Sequence, residues 1–413
     1  MQKAKSQPAP PLVVAAQMPG AGALAITLAV PAGTTSETAG ESGFAHLIEH
    51  LLHRYAVAGA GPSIERVVHA SGGISNAQTY AFHTEFTFVV PRPADAIEVR
   101  EWIDLATGRL AWPVLSVEGI EAEKRVIERE VRTRLASSPF ACFPWKDALG
   151  ALSHDFAFTH DGYAQLDDID AADESSVQRF FSDNYGAGSS VVSVVSEFSL
   201  DDLMAAGVGG LRDLPTSARP RSTAMDGLGQ GHRVDLVWPE LAGWVRADVR
   251  GIPMTGDPTE ARATAMVSAG VARKLSPECM WQSGLYGPEF GPDYSLLLAM
   301  SAGPDGSEDL PAVIPLAELS KVHALHEVVA EAVAEALTAY DRVLGATASF
   351  ASLVARDILF GLRTYATREA IIAVDARAVL DYFEAAAGCP TGVVVRRGTA
   401  RAVLERSDVV HHD

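Results

Sequence analysis

The chain has 413 residues, 48% hydrophobic and 21% charged, which suits a folded globular protein with two cores of about 200 residues each. Its net charge of −19 argues against nucleic acid or an anionic membrane as partner and favours basic peptide ligands.

Residues 12–17 and 23–31 have strand length and are joined by a Pro-Gly turn signal. Residues 41–57 read as a helix starting near Glu41 or Ser42. Gly59 to Pro62 breaks it, Ser63 is placed to cap a helix over 64–70, and Gly72-Gly73 ends that helix. Residues 74–90 alternate as a strand through Phe82, Phe86, Phe88 and Val90. Helical periodicity returns at 94–110 and 117–137, the latter with a heavily charged face. A short amphipathic helix over Asp173 to Phe181 precedes a strand at Ser190–Val195. The same phrase recurs near the end, as a helix over Asp375–Phe383 and the strand Val393-Val394-Val395. Strand pairs open each half, at 12–31 and 233–250. This repeat predicts an α+β fold of two homologous domains, each a mainly antiparallel sheet covered by helices on one side. The domains are expected at 1–211 and 232–413. Residues 212–231, rich in Pro, Gly and small polar residues, would link them.

The three cysteines, Cys142, Cys279 and Cys389, form no spaced cluster, so neither a disulfide framework nor a thiolate metal site is expected. No apolar run reaches the roughly 18 residues of a membrane span. The first residues lack the apolar core of a signal peptide. A cytoplasmic setting is the expectation.

The chemistry concentrates in His46-Leu47-Ile48-Glu49-His50. On a helix, residues four apart leave the same face one turn apart, so His46 and His50 can grip one Zn²⁺. Glu49 can reach the same spot as a base. A catalytic zinc ordinarily takes a third protein ligand, and Glu123-Lys-Arg-Val126-Ile127-Glu128-Arg-Glu130 offers carboxylates. Glu123 and Glu130 share one helix face, while Glu121 and Glu128 lie on neighbouring faces. Such acidic runs also make ordinary solvated helices.

The order H-x-x-E-H, followed eighty residues after His50 by Glu130 in an E-x-x-V-I-x-x-E phrase, resembles the M16 family of inverzincin metallopeptidases. Gly73-Ile-Ser-Asn76-Ala77-Gln-Thr79 resembles that family's G-x-x-N-A-x-T segment. The resemblance covers the first half of the chain. It implies a zinc endopeptidase in which His46, His50 and Glu130 hold Zn²⁺, with Glu128 as the fallback ligand. Glu123 would orient a ligating histidine, and Glu49 would be the catalytic base. Asn76 and Ala77 would lie on an edge strand that pairs with the peptide substrate. The resemblance also implies an arginine and a tyrosine from the second half. Tyr286 fits loosely, but Cys279 stands where the arginine is needed, and Arg273 and Arg363 are displaced from it. The implied assembly is therefore a heterodimer whose homologous M16-like partner supplies Arg and Tyr. Leader-peptide processing is among the roles such pairs perform. A non-catalytic peptide-binding scaffold and a self-sufficient homodimer are the alternatives.

Overall fold

The computed structural model describes residues 11–54, 62–110, 117–137, 145–160, 164–209, 211–212, 231–238, 243–277, 279–283, 294–303 and 325–398. The first half runs β1 (Leu12–Gln17), β2 (Ala23–Val30), α1 (Phe44–Arg54), α2 (Ile64–Ala70), β3 (Ile74–Thr79), β4 (Thr84–Pro91), α3 (Ala96–Gly108), α4 (Val117–Ser137), α5 (Trp145–Gly150), α6 (Phe156–Thr159), α7 (Leu166–Ala171), α8 (Glu174–Asn184), β5 (Val191–Ser196), α9 (Leu200–Ala205) and β6 (Leu211–Arg212). The second runs β7 (Arg233–Trp238), β8 (Trp244–Pro253), α10 (Pro258–Leu275), β9 (Met280–Ser283), β10 (Tyr294–Gly303), α11 (Leu325–Leu344), α12 (Thr347–Leu359), α13 (Thr367–Ala373), α14 (Ala376–Gly388) and β11 (Thr391–Gly398).

Two sheets result, ordered β3-β4-β2-β5-β1-β6 and β9-β10-β8-β11-β7. Strand for strand the orders correspond: β1 pairs parallel with β5 as β7 does with β11, and the pairs β2–β4 and β8–β10 are both antiparallel. Most ladders are antiparallel, so the fold is α+β as the repeat predicts. The strands of one sheet come from residues 12–212 and those of the other from 233–398. Nearly all of the expected linker, 213–230, lies outside the described residues.

Two local expectations change. Residues 74–90 form two strands, β3 and β4, with a turn at Tyr80–His83 closed by Tyr80 N–H donating to His83 O at 2.8 Å. The segment around Gly33 explains the break: Thr34 and Thr35 N–H donate to Tyr80 O and Ala81 O at 3.0 and 2.8 Å. The approach is so close that a Cβ on Gly33 would stand 2.3 Å from Tyr80 O.

The sheets are also covered on both faces, not one. In β2, Leu24, Ile26 and Leu28 face a core with Leu47 and Ile48 of α1 and Val99 of α3. Ala25 and Ala29 face the other way, into a core with Phe350, Leu353 and Val354 of α12, a helix from the second half. Small residues on that face let α12 lie close. In return, α5 packs on β8 and β11 of the second sheet, where Ala151 joins Val245, Ala247 and Val394. The nearly continuous apolar character of β2, broken only by Thr27 with its hydroxyl bonded to Thr87, is what burial on both faces requires.

Candidate metal centre

Helix α1 is buried from Phe44 through Leu52. Phe44, Leu47, Ile48 and Leu51 seat it on the sheet, and the remaining stripe carries His46, Glu49, His50 and His53. The three groups of the H-x-x-E-H stretch are each less than a tenth exposed. Helix α4 crosses beside it. Ile120, Ile127 and Val131 are its apolar anchors, and the buried Lys124 ammonium donates to Asp170 O at 2.8 Å and Ala172 O at 3.0 Å. That docking points Glu123 and Glu130, seven residues apart, at α1.

Three donor atoms converge. His46 Nε2 and His50 Nε2 are 3.1 Å apart. Glu130 Oε2 lies 3.8 Å from the first and 3.6 Å from the second. Tetrahedral zinc with bonds of about 2.0–2.1 Å spaces its donors at about 3.3–3.4 Å, so this triangle fits the ion closely. His46, His50 and Glu130 offer ligand atoms that all lie within 4.8 Å of one another. The orienting group is in place too. His50 Nδ1 lies 3.0 Å from Glu123 Oε2, so its hydrogen goes to that carboxylate and Nε2 is left to face the ligand position. Arg54 Nη1 stands 3.8 Å from the same oxygen.

The electrostatics call for a cation. Burial disfavours charge on His50, yet its hydrogen bonds with Glu123 and Glu130 and the charge of Glu49 push its pKa up to about 9. Several carboxylates around two imidazoles form a pocket of negative potential that a divalent ion would neutralise.

Glu49 stands apart from the donor triangle. Its Oε2 accepts a hydrogen bond from Thr79 Oγ1 at 2.8 Å. Thr79 ends β3, which pairs with β4 on one side and forms the edge of its sheet. Ala77, opposite Phe86, packs on the core beneath α1. Asn76 and Gln78, opposite Thr87 and Glu85, point to the other face. There they line a groove of about 390 Å³ with Glu85, Ser349, Ser352 and Arg356. Glu85 is buried and held ionised: burial raises its pKa, but His83 Nε2 at 3.0 Å, the charge of Arg356 and Ser352 Oγ at 2.5 Å outweigh that.

The structure thus brings together His46, Glu49, His50, Glu123 and Glu130, and sets Asn76 and Ala77 on opposite faces of an edge strand. Glu128 pairs with Arg132 at 2.8 Å, away from the triangle. Tyr286 lies outside the described residues. Arg273 donates to Trp281 O at 3.3 Å, and Arg363 pairs with Asp257 at 2.8 Å, so both are engaged within the second half. Two features escaped the sequence reading. Thr79 holds the Glu49 carboxylate, and Glu37 with His160 holds the start of α1. The first lay in the quoted motif, whereas the second spans 123 positions and leaves no local signal.

Comparison with known proteins agrees with this geometry. Residues 12–138 match the model of the insulinase family, peptidase family M16. The chain is thus similar to that family over these residues, and its second half repeats the topology of the first. Coenzyme PQQ synthesis protein F of Pseudomonas protegens is 31% identical over 189 residues, 44% of this chain and 22% of that protein. Zinc protease PqqE of Helicobacter pylori is 26% identical over 177 residues, 43% of this chain and 38% of that protein. The matches therefore span well under half the length of these relatives. A solved protease from Helicobacter pylori has the same fold, with a TM-score of 0.73 at 16% identity, covering 93% of this chain and 96% of that one.

Proposed function

We propose that this protein is a zinc-dependent endopeptidase for short or unfolded peptides, and that it is the zinc-bearing subunit of a heterodimer. The observation that carries the reading is the His46–His50–Glu130 triangle with Glu49 beside it, joined through Thr79 to the edge of a sheet. Bound zinc supplies Lewis acidity and brings the pKa of water toward about 7. The carboxylate of Glu49 takes a proton from the attacking water and passes it to the leaving amine. Thr79 aims that carboxylate, and Glu123 fixes the tautomer of His50. The outer edge of β3 offers N–H and C=O groups to an extended peptide, so affinity comes from main-chain bonds and selectivity from side-chain pockets. Leader-peptide removal is the finer form of this proposal, in a cytoplasmic setting.

The homologous partner would supply the arginine and tyrosine. Cys279 stands at the arginine position of this chain, and that observation also favours a second reading, a non-catalytic peptide-binding scaffold. Zinc content and cleavage of an unfolded fluorogenic peptide separate the readings. The heterodimer predicts one zinc per chain, little activity alone, and cleavage restored by a partner but abolished when the partner's arginine is replaced. A chain without stoichiometric zinc is a scaffold. Full activity of the isolated chain would refute the heterodimer in favour of a self-sufficient homodimer.

A further inference from the structure

Helix α1 is capped from a distance. Glu37 Oε2 accepts the Gly43 N–H at 3.1 Å and Oε1 accepts the Ala45 N–H at 2.8 Å. The side chain is fully buried, and Oε2 lies 2.7 Å from His160 Nε2, whose ring is 1% exposed. The other ring nitrogen, Nδ1, lies 2.6 Å from Phe156 O, and the ring stacks on Phe156 with centroids 4.5 Å apart. A carbonyl oxygen only accepts, so Nδ1 carries a hydrogen. The Nε2···Oε2 contact then holds one further proton between two buried groups. Burial raises the pKa of Glu37, and His160 and the two amides oppose the rise. This is a charge-assisted clamp at the positive end of a helix dipole.

The clamp is adjacent to the chemistry in sequence. The amide held by Oε1 belongs to Ala45, the residue before His46. Apolar packing along α1 yields to small shifts, whereas short hydrogen bonds to a fixed carboxylate set the helix along its own axis. The donor triangle has edges of 3.1, 3.6 and 3.8 Å, and binding sites need their groups held to within about 0.5 Å. His160 ties this clamp to α6, a separate element of the first half, so the position of α1 is referenced to the surrounding fold.

We propose that Glu37 and His160 are positioning residues of the metal centre, fixing the axial register of the helix that carries His46, Glu49 and His50 and thereby the affinity and geometry of metal binding. The proposal rests on the zinc reading above.

The test uses the full chain, Zn²⁺ affinity by chelator competition, the visible absorption of the Co²⁺-loaded protein, and the Tm of the metal-free form. Glu37→Gln and His160→Ala should weaken zinc by about tenfold and alter the cobalt spectrum, in the range seen for groups that support metal ligands. His160→Gln can still donate an amide N–H to Glu37 and should restore most of the affinity. A cap that only stabilises the fold would lower Tm in each variant and leave zinc affinity and the cobalt spectrum unchanged, which overturns the proposal. Should Glu37→Gln fail to fold, the histidine pair decides: equal zinc affinity for His160→Ala and His160→Gln overturns it. Failure of the wild-type chain to bind zinc sinks the metal-centre reading itself, a result distinct from any of these.

Discussion

Thr79 Oγ1 donates a 2.8 Å hydrogen bond to Glu49 Oε2, fastening the edge of the first sheet to the helix that bears the H-x-x-E-H stretch. The strand offered to a peptide and the base that would cleave it therefore move as one unit. Removing this bond by Thr79→Val should leave zinc content unchanged and reduce kcat/KM by about ten- to a hundredfold, the value of a hydrogen bond to a charged group. Glu49→Gln should also keep its metal but lose activity by a factor of about 10²–10⁴. Both are measured in the presence of the proposed partner subunit, with zinc determined by elemental analysis. Loss of metal in Glu49→Gln would show that Glu49 is a ligand and not a base.

The metal ligands and their support should separate by degree. His46→Ala and His50→Ala should abolish stoichiometric zinc, and Glu130→Gln should weaken it strongly. Glu123→Gln should cost about 10- to 100-fold in affinity, because it touches His50 and not the ion. Glu128→Gln should have no effect, since Glu128 is committed to Arg132. Chelator competition gives all five values, and a dominant loss in Glu128→Gln would reassign the third ligand.

His53, one turn beyond His50, supplies a pH signature. Burial pushes its pKa down to about 4, helped by the charges of Arg109 and Arg54. Arg109 is itself fully buried, over the Phe86 ring at 4.9 Å. In the unfolded chain the imidazole titrates near 6.5. Between these values the unfolded state binds a proton that the folded state refuses. Its contribution to stability is therefore present above pH 6.5 and is lost as pH falls toward about 4. Melting curves of metal-free protein should show the wild type losing more Tm across this window than His53→Gln, which cannot titrate. Parallel curves would remove His53 as the cause.

Gly43, just before α1, has φ +95°, and a Cβ there would stand 2.6 Å from the Ala164 Cβ. Gly43→Ala should destabilise the protein by about 2–4 kcal/mol through backbone strain and overpacking. Urea unfolding measures this. A change below about 0.5 kcal/mol, the range of neutral surface substitutions, would mean the loop rearranges freely.

Much of the site was legible because it is local. His46, Glu49 and His50 share one helix, and helical spacing alone places them on one stripe. Glu130 was harder. The α4 sequence presents several glutamates, and only the family spacing preferred this one; in the fold Glu128 pairs with Arg132 and Glu130 lies 3.6 Å from His50. The Glu37–His160 contact joins residues 123 positions apart and has no sequence period to betray it. The turn at Tyr80–His83 was hidden likewise, because the backbone near Gly33 imposes it from another part of the chain. Ala25 and Ala29 alternating with Leu24, Ile26 and Leu28 did carry a signal. A strand apolar on both of its faces is one covered twice, and the second cover proved to be α12.

That exchanged helix has a consequence for dissection and engineering. A fragment ending after β6 would keep every residue of the candidate metal centre and lose α12. Val14, Ala25, Ala29 and Val195 would then form a bare apolar slab, open to aggregation. The converse fragment would lose α5 and uncover Ala247 and Val394. Neither half is a portable cassette: unfolding is expected to be cooperative across the chain, so a lesion in α12 should also unseat the His46, His50 and Glu130 cluster that it never touches.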